Sequence, residues 1–422
     1  MHSVYCRYFS YLLGFFCFQI SLAVSILGFY VNLFQLFSFI ASFALLKILD
    51  KVLAKLIIVV VVLTFQILSF FLFADANFDN FSFLTRTLSY FFFLLPLFSF
   101  PFIFKYEVLS VFDVVKGLIH SGYSMIIIGY IQLMGFIFLG FDLFPYDYFY
   151  GGDGRSAIVL FKGEEVFRLT ALSGEPKTYG MFLVLFLSFY LSYVWRERRK
   201  IVGFVVVGSL LLLIALTAST SAYLLLLLLC VAVIFNVRVK GVVYGGVLFA
   251  VFALGVTLAV IFSDVGVTVS SYDHVKIGEN FLYDRIVARL NGLEDYDYLS
   301  VAALSDHFYW VIFGGVWPYL NGLLPNSIAL PYWMESDTIF VPKMGILTLL
   351  SILGVPLLCF FIFHYYKIVF NYINYYTRMQ IVLIAVFLPS AVLLRSYLLV
   401  FTVMLVSIIF SNSFRNAYFK AV

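Results

Sequence analysis

Charged residues are scarce in this sequence: Asp, Glu, Lys and Arg together make up 11% of its 422 residues. A soluble globular domain is about one quarter charged, so the composition excludes an ordinary soluble enzyme. Only four cysteines are present, and because their spacing is not that of metal ligands we expect them to pack as small apolar groups. No Gly-rich nucleotide loop, zinc motif or Gly-x-Ser-x-Gly element occurs. We therefore expect no metal ion, no cofactor and no bound ATP.

Long apolar runs fill most of the chain. Hydrophobic residues make up 64% of it, and the mean hydropathy is +1.07. Runs of about 18 or more apolar residues are long enough to cross a bilayer as helices. The sequence thus predicts an all-α polytopic membrane protein, with residues 1–422 as a single integral membrane domain of about twelve spans. The predicted spans are 8–28, 31–48, 54–74, 83–104, 118–141, 179–195, 201–217, 222–237, 241–262, 343–366, 379–394 and 397–411.

The basic residues are distributed unevenly among the predicted loops. The densest basic cluster lies at 196–200, and loops rich in Lys and Arg remain in the cytoplasm. Alternation from this loop places most other basic residues on the same side and most acidic residues on the opposite side. Both termini are then cytoplasmic, and the two long loops, 142–178 and 263–342, are external.

The two external loops contain most of the side chains that could carry out chemistry. In the larger loop we expect a short helix near 281–304 and an interfacial or re-entrant segment from Phe308 to Leu324. A transporter usually has short external loops and polar residues at the middle of the bilayer, the reverse of this pattern. We therefore expect an active site at the external face, formed by 142–178 and 263–342.

The segment Ser173-Gly174-Glu175-Pro176 is the sharpest local signal. Proline is favoured at the first helical position, so a helix is predicted to begin at Pro176. Its free N–H groups and positive dipole end suit an anion, and Arg168 and Lys177 lie on either side of the segment. Ordinary capping, with Lys177 directed to the membrane interface, explains the same pattern without a ligand.

Four more arginines are candidates for binding phosphate groups. Arg285 and Arg289 are four residues apart and share a helical face, and guanidinium groups suit bidentate phosphate contacts. Neutralisation of nearby carboxylates explains this pair equally well. Arg86 and Arg395 lie in or beside apolar runs, where a charge tends to face a polar cavity or to extend to the interface.

The preferred candidates for a general base are Asp337, Glu175 and His307, and the external carboxylates also include Asp306 and Glu335. A general base must lie within hydrogen-bond reach of the proton that it removes, which sequence alone does not show. For each of the three, a solvated side chain is the plainer interpretation. Asp295 and Asp297 look like a metal-binding pair, but so short an acidic pattern arises readily by chance.

Several of these motifs together are similar to those of a known family. Arg168, then Gly174-Glu175-Pro176, then Gly180 at the mouth of a span resembles the Wzy-type O-antigen polymerases, relatives of the O-antigen ligases. The segment Thr217–Ser221 between two spans is similar to the small-hydroxyl turn of that family. Asp337 stands about where the ligases have a histidine, which favours a polymerase over a ligase.

The resemblance covers most of residues 140–360 and implies glycosyl transfer at the outer face of the bacterial inner membrane. A glycan linked to undecaprenyl pyrophosphate would be transferred to a sugar hydroxyl of another lipid-linked repeat unit. The departing pyrophosphate would need fixed cations, for which the candidates are Arg168, Lys177, Arg285, Arg289, Arg86 and Arg395. Asp337 would be the base, with Glu175 and His307 as alternatives.

The resemblance also implies partners and leaves alternatives. The expected partners are undecaprenyl-pyrophosphate-linked oligosaccharides, the lipid bilayer, and a chain-length regulator and flippase of the same pathway, with no nucleic acid. An O-antigen ligase would differ only in the acceptor. A lipid-linked oligosaccharide flippase or transporter also has about twelve spans, but it would have short external loops and polar residues at the middle of the bilayer. A purely structural membrane subunit would not need two charged external loops.

Overall fold

A computed structural model gives the fold of the chain. It describes residues 4–19, 22–26, 29–73, 80–140, 142–144, 158–161, 164–173, 175–191, 200–217, 219–236, 267–269, 272–276, 354–360, 363, 396–409, 411 and 414. These residues are mostly helical, which confirms the predicted helical class in its coarse form. The helices with residue bounds are α1 (Val4–Phe15), α2 (Leu33–Ser42), α3 (Leu49–Phe73), α4 (Asn80–Lys105), α5 (Val111–Leu139), α6 (Pro176–Phe189), α7 (Lys200–Leu216), α8 (Thr220–Asn236) and α9 (Ser396–Ile409).

Helix α5 is long and apolar enough to cross a membrane, and it is the one such helix among the residues described in full. Its 29 residues begin after Ser110, whose hydroxyl accepts a hydrogen bond from the backbone N–H of Asp113. It ends at Gly140, which has a φ of 72° and so caps the helix in the left-handed conformation. At about 1.5 Å per residue its length is roughly 40 Å, more than the hydrocarbon core of a bilayer.

Most of the predicted apolar helices that fall on described residues are present. Helices α3 to α9 overlap the predicted segments 54–74, 83–104, 118–141, 179–195, 201–217, 222–237 and 397–411. The predicted spans 241–262 and 379–394 lie outside the described residues, as does most of 343–366.

The prediction of one continuous helix over 8–28 is wrong. After α1 and a short 3-10 turn, the chain forms an antiparallel hairpin of β1 (Ala23–Ile26) and β2 (Phe29–Asn32). The β-branched and aromatic residues of this stretch favour strands. Helix α2 then begins with a capping box, in which the Asn32 side chain accepts from Gln35 N at 2.7 Å and Gln35 Oε1 accepts from Asn32 N at 3.3 Å.

A four-stranded sheet joins the two loops that were predicted to be external. Its strand order is β3 (Ile158–Phe161), β4 (Glu164–Phe167), β6 (Tyr272–Lys276) and β5 (Val267–Val269). Strands β4 and β6 are parallel, with Glu165 opposite Val275. The larger loop was predicted to contain short helices, but its described residues form strands; the helix predicted at 281–304 lies outside them.

Helix α1 packs against α5, and the two run in the same direction. Near their starts Arg7 Nε donates to Asp113 Oδ2 at 3.1 Å, and further along Gln19 Nε2 donates to Ser124 Oγ at 2.6 Å. Two glycines allow this close approach. A Cβ atom at Gly14 would overlap the carbonyl of Val114, and one at Gly117 would overlap the carbonyl of Tyr11.

An aromatic cluster connects helices that are far apart in the sequence. The rings of Phe18, Phe182 and Phe401 pack edge to face, with centroid separations of 5.0 to 5.4 Å. Each pair of this kind adds about 1 kcal/mol beyond the apolar area that it buries. The C-terminal α9 is therefore part of the same core as α6 and the N-terminal turn.

Replacing Gly117 by alanine should separate α1 from α5. Because overpacking a tight contact typically costs about 1–3 kcal/mol, we expect Gly117→Ala to lower the midpoint of thermal unfolding in detergent. The matched control is Gly208→Ala on α7, since a Cβ atom there meets nothing within 4 Å. Equal midpoints for the two variants would contradict the close helix contact.

Candidate functional site

Arg168 is buried directly after strand β4, with 8% of its surface exposed. Its Nε donates a hydrogen bond to the backbone carbonyl of Thr217 at 3.2 Å. On either side, Phe167 stacks on Phe136 with ring centroids 3.8 Å apart, and Leu169 N donates to Leu216 O at 3.3 Å. A buried guanidinium is costly unless its surroundings compensate it, so these contacts fix a positive charge at a defined place.

Gln132 of α5 holds the chain that follows Arg168. It is fully buried, and its Oε1 accepts from Thr170 N at 3.0 Å and from Ala171 N at 2.7 Å. Its Nε2 donates to Thr170 Oγ1 at 2.9 Å and to Asp142 Oδ1 at 2.8 Å. Two acceptor sites and two donors are all that a glutamine amide has, and all four are used. The amide therefore joins α5, the start of loop 142–178 and the Arg168 segment.

The backbone at Ala171 is in the left-handed region, with a φ of 43°. A residue with a Cβ atom adopts this conformation at a cost of about 1–3 kcal/mol and keeps it only where the surroundings impose it. The short bond from Ala171 N to Gln132 is one such constraint. It turns the chain from β4 into the 3-10 turn Ala171–Ser173 and on to α6.

The turn between α7 and α8 contacts Arg168 and forms one wall of the site. Thr217 gives its carbonyl to Arg168, and its hydroxyl donates to Ile214 O at 2.7 Å. Tyr223, at the start of α8, donates its hydroxyl to Ala215 O at 2.6 Å and lies close enough to Arg168 to interact electrostatically. A Cβ atom on Gly180 would lie 2.8 Å from Thr217 Oγ1, so α6 also reaches this wall.

The predicted helix start at Pro176 is confirmed. Glu175 precedes it as the N-cap residue, without a capping hydrogen bond from its side chain, and both Glu175 and Lys177 are half-buried. The hydroxyl of Ser173 is buried and has no hydrogen-bond partner among the described residues. The structure thus brings Arg168, Glu175 and Lys177 to one segment at the entrance of α6.

The other predicted site residues are not brought to this segment by the described structure. Asp337, His307, Arg285, Arg289 and Arg395 all lie outside the described residues. Arg86 lies in α4, but its side chain is outside the described part. Their roles remain predictions.

Gln132 was missed by the sequence reasoning, although a signal for it existed. It is a polar side chain in the second half of an apolar helix, and polar residues within membrane helices commonly face the protein interior and serve function. Nothing in the sequence showed that its partners would be Thr170 and Ala171, almost forty residues further along.

Comparisons with known proteins give no relative. No family model matches the chain, and neither a curated protein nor a solved structure matches it. In the described parts of the chain, no group of three His, Cys, Asp or Glu side chains is placed to hold a metal ion. Chemically, the site holds one positive charge, the guanidinium group of Arg168, beside the start of helix α6.

Replacing Gln132 by leucine should loosen the Arg168 segment. The change leaves the buried N–H groups of Thr170 and Ala171 without acceptors, which we expect to lower the free energy of unfolding by at least about 2 kcal/mol. Thermal unfolding can be followed with a thiol-reactive fluorophore, since Cys17 and Cys230 are buried in the folded chain. The control is Met134→Leu, an exposed position on the same helix. Identical unfolding midpoints would show that the Gln132 amide is not a structural tie.

Proposed function

We propose that this chain is a membrane-embedded glycosyltransferase that polymerises lipid-linked glycan repeat units. It transfers a glycan from undecaprenyl pyrophosphate to a sugar hydroxyl of another lipid-linked unit. The observation that carries the proposal is the buried guanidinium of Arg168, held next to the entrance of α6 where 142–178 and 263–342 share a sheet. The motif resemblance to Wzy-type polymerases includes this same segment.

The geometry of α5 supports the polytopic arrangement with the active site on the external face. Asp113 pairs with Arg7 near the start of α5, while Gln132 holds the Arg168 segment in its second half. Roughly 30 Å of helix separates these positions, which equals the thickness of the hydrocarbon core. In the proposed topology Arg7 and Lys105 lie at the cytoplasmic end of α5 and Arg168 at its external end, in the bacterial inner membrane with both termini cytoplasmic.

The proposed reaction requires a cation for the leaving group. The bond between the donor sugar's anomeric carbon and the pyrophosphate oxygen breaks, and its electron pair leaves with the pyrophosphate. The acceptor hydroxyl oxygen forms the new bond to that carbon, and its proton passes to a base. A preorganised positive charge stabilises the negative charge that develops on the leaving group.

Within this scheme the residues around the entrance of α6 bind the pyrophosphate. Arg168 supplies the fixed charge, Lys177 a second one, and the first N–H groups of α6 and the Ser173 hydroxyl can donate hydrogen bonds to phosphate oxygens. Arg285, Arg289, Arg86 and Arg395 are proposed to complete the site. The proposed base is Asp337, with Glu175 and His307 as alternatives.

The proposal also accounts for the environment of the substrates. Both have polyprenyl tails, so they reach the site by lateral movement in the bilayer and leave only their head groups at the external face. We expect the chain to act with a flippase that delivers repeat units and with a regulator of chain length. No nucleotide is consumed, because the energy of the transfer comes from the pyrophosphate linkage.

Substitution of Arg168 tests the proposal. We expect Arg168→Gln and Arg168→Lys to abolish long surface polysaccharide and leave single-repeat glycolipid, with a rate loss of about 100-fold or more. Lysine keeps the charge but lacks the Nε donor that binds Thr217 and the planar guanidinium. Gel analysis of surface glycan measures the result, and the control is Arg7→Gln on α1, which removes the ion pair with Asp113 at the other end of α5.

Three outcomes of the glycan gel would count against the proposal. Normal ladders from Arg168→Gln, in a variant that reaches the membrane at wild-type level, would remove Arg168 from the reaction. After deletion of the gene, loss of single-repeat glycolipid together with long glycan would identify a ligase. If the same deletion instead removed all lipid-linked repeat units from the external face, the protein would be identified as a flippase.

A further inference from the structure

An apolar crevice lies between α3 and α4. It is a cavity of about 100 Å³, lined almost entirely by aliphatic and aromatic side chains from α3 and α4, with Phe360 at one side. Val59 at its floor is buried, whereas Val60 beside it is 52% exposed, so the crevice opens to the outer surface of the helix bundle.

Lysine side chains gather at one end of this crevice. Lys55 lines the cavity itself, and its Nζ lies 4.9 Å from the ring centroid of Phe102. Four residues after Phe102, just beyond the end of α4, Tyr106 has Lys51 Nζ at 5.3 Å and Lys105 Nζ at 5.6 Å from its ring centroid. No ion pair of Lys51 or Lys105 is present among the described residues. Three ammonium groups that lie beside two neighbouring aromatic rings repel one another, and an anion bound next to them would reduce this repulsion.

We propose that this crevice binds an anionic glycerophospholipid of the cytoplasmic leaflet, an inference that depends on the membrane embedding proposed above. Part of one acyl chain lies in the apolar crevice, and the phosphate group lies against Lys51, Lys55 and Lys105. Basic pockets between membrane helices on the cytoplasmic side suit anionic lipid head groups. The lipid would act as a structural or regulatory ligand and not as a substrate.

The dimensions and position of the crevice exclude two other occupants. A helix of a second copy is about 10 Å wide, too wide for a slot of this volume. The polyprenyl substrate would place its pyrophosphate at Arg168, whereas Lys105 precedes the start of α5, roughly 30 Å of helix away from Gln132. A phospholipid of the cytoplasmic leaflet has both an acyl chain for the apolar crevice and a phosphate group for the lysines.

Lipid titration of the purified full-length chain tests this site. We expect phosphatidylglycerol, counted as bound copies by native mass spectrometry, to bind with higher affinity than phosphatidylcholine of the same acyl chains. The double variant Lys51→Gln/Lys105→Gln should weaken phosphatidylglycerol binding about tenfold or more. Lys116→Gln is the matched control, because Lys116 is an exposed lysine near the same end of α5 but not on the crevice.

A second variant separates the acyl chain from the head group. Val59→Phe fills the cavity and keeps every lysine, so it should reduce phosphatidylglycerol binding to the phosphatidylcholine level. Equal affinities for both lipids in the wild type, or unchanged binding in both variants, would overturn the proposal. Two further results would overturn it. In the first, polyprenyl phosphate displaces phosphatidylglycerol, and Val59→Phe binds neither lipid. In the second, the wild-type chain is a dimer and Val59→Phe dissociates it. Arg168→Gln should bind phosphatidylglycerol normally, so failure of the polymerase assignment is recognised separately.

Discussion

The arrangement of this chain depends on one buried amide. Gln132 uses both donors and both acceptor positions to hold Asp142, Thr170 and Ala171, so the loop that carries Arg168 is fixed to the second half of α5. Water does not reach these buried polar groups, so each of them needs a hydrogen-bond partner from the protein, and Gln132 provides it. The left-handed turn at Ala171, the buried guanidinium and the start of α6 follow from that attachment, because all three lie within a few residues of it.

Among the described residues, helix α5 also separates two charged regions. Its start lies beside Arg7, Lys105 and the lysine-lined crevice, and its second half holds the Arg168 segment. The proposed chemistry and the proposed lipid site thus lie at opposite ends of one apolar helix. The N-terminal helix α1 runs parallel to α5 and contacts it closely at Gly14 and Gly117.

The sequence predicted the helices well where apolar runs are long, because a run of that length has no stable alternative in a bilayer. It also predicted the helix start at Pro176, which depends only on local backbone chemistry. It failed over 8–28, where apolar composition hid a strand preference, and it missed the sheet that joins β4 to β6, which depends on residues about a hundred positions apart. Gln132 was missed for the same reason: its partners are distant in sequence, and composition does not reveal them.

The most direct measurement of this account is the sidedness of α5. Single cysteines at Lys116 and Leu139, both exposed, can be placed in a chain whose four native cysteines are replaced, and then treated with a membrane-impermeant maleimide. We expect Leu139→Cys to react in bacterial cells whose outer membrane alone is permeable, and Lys116→Cys to react only after the inner membrane is opened. Equal labelling of the two positions from one side would contradict a membrane-crossing α5 with Arg168 on the external face.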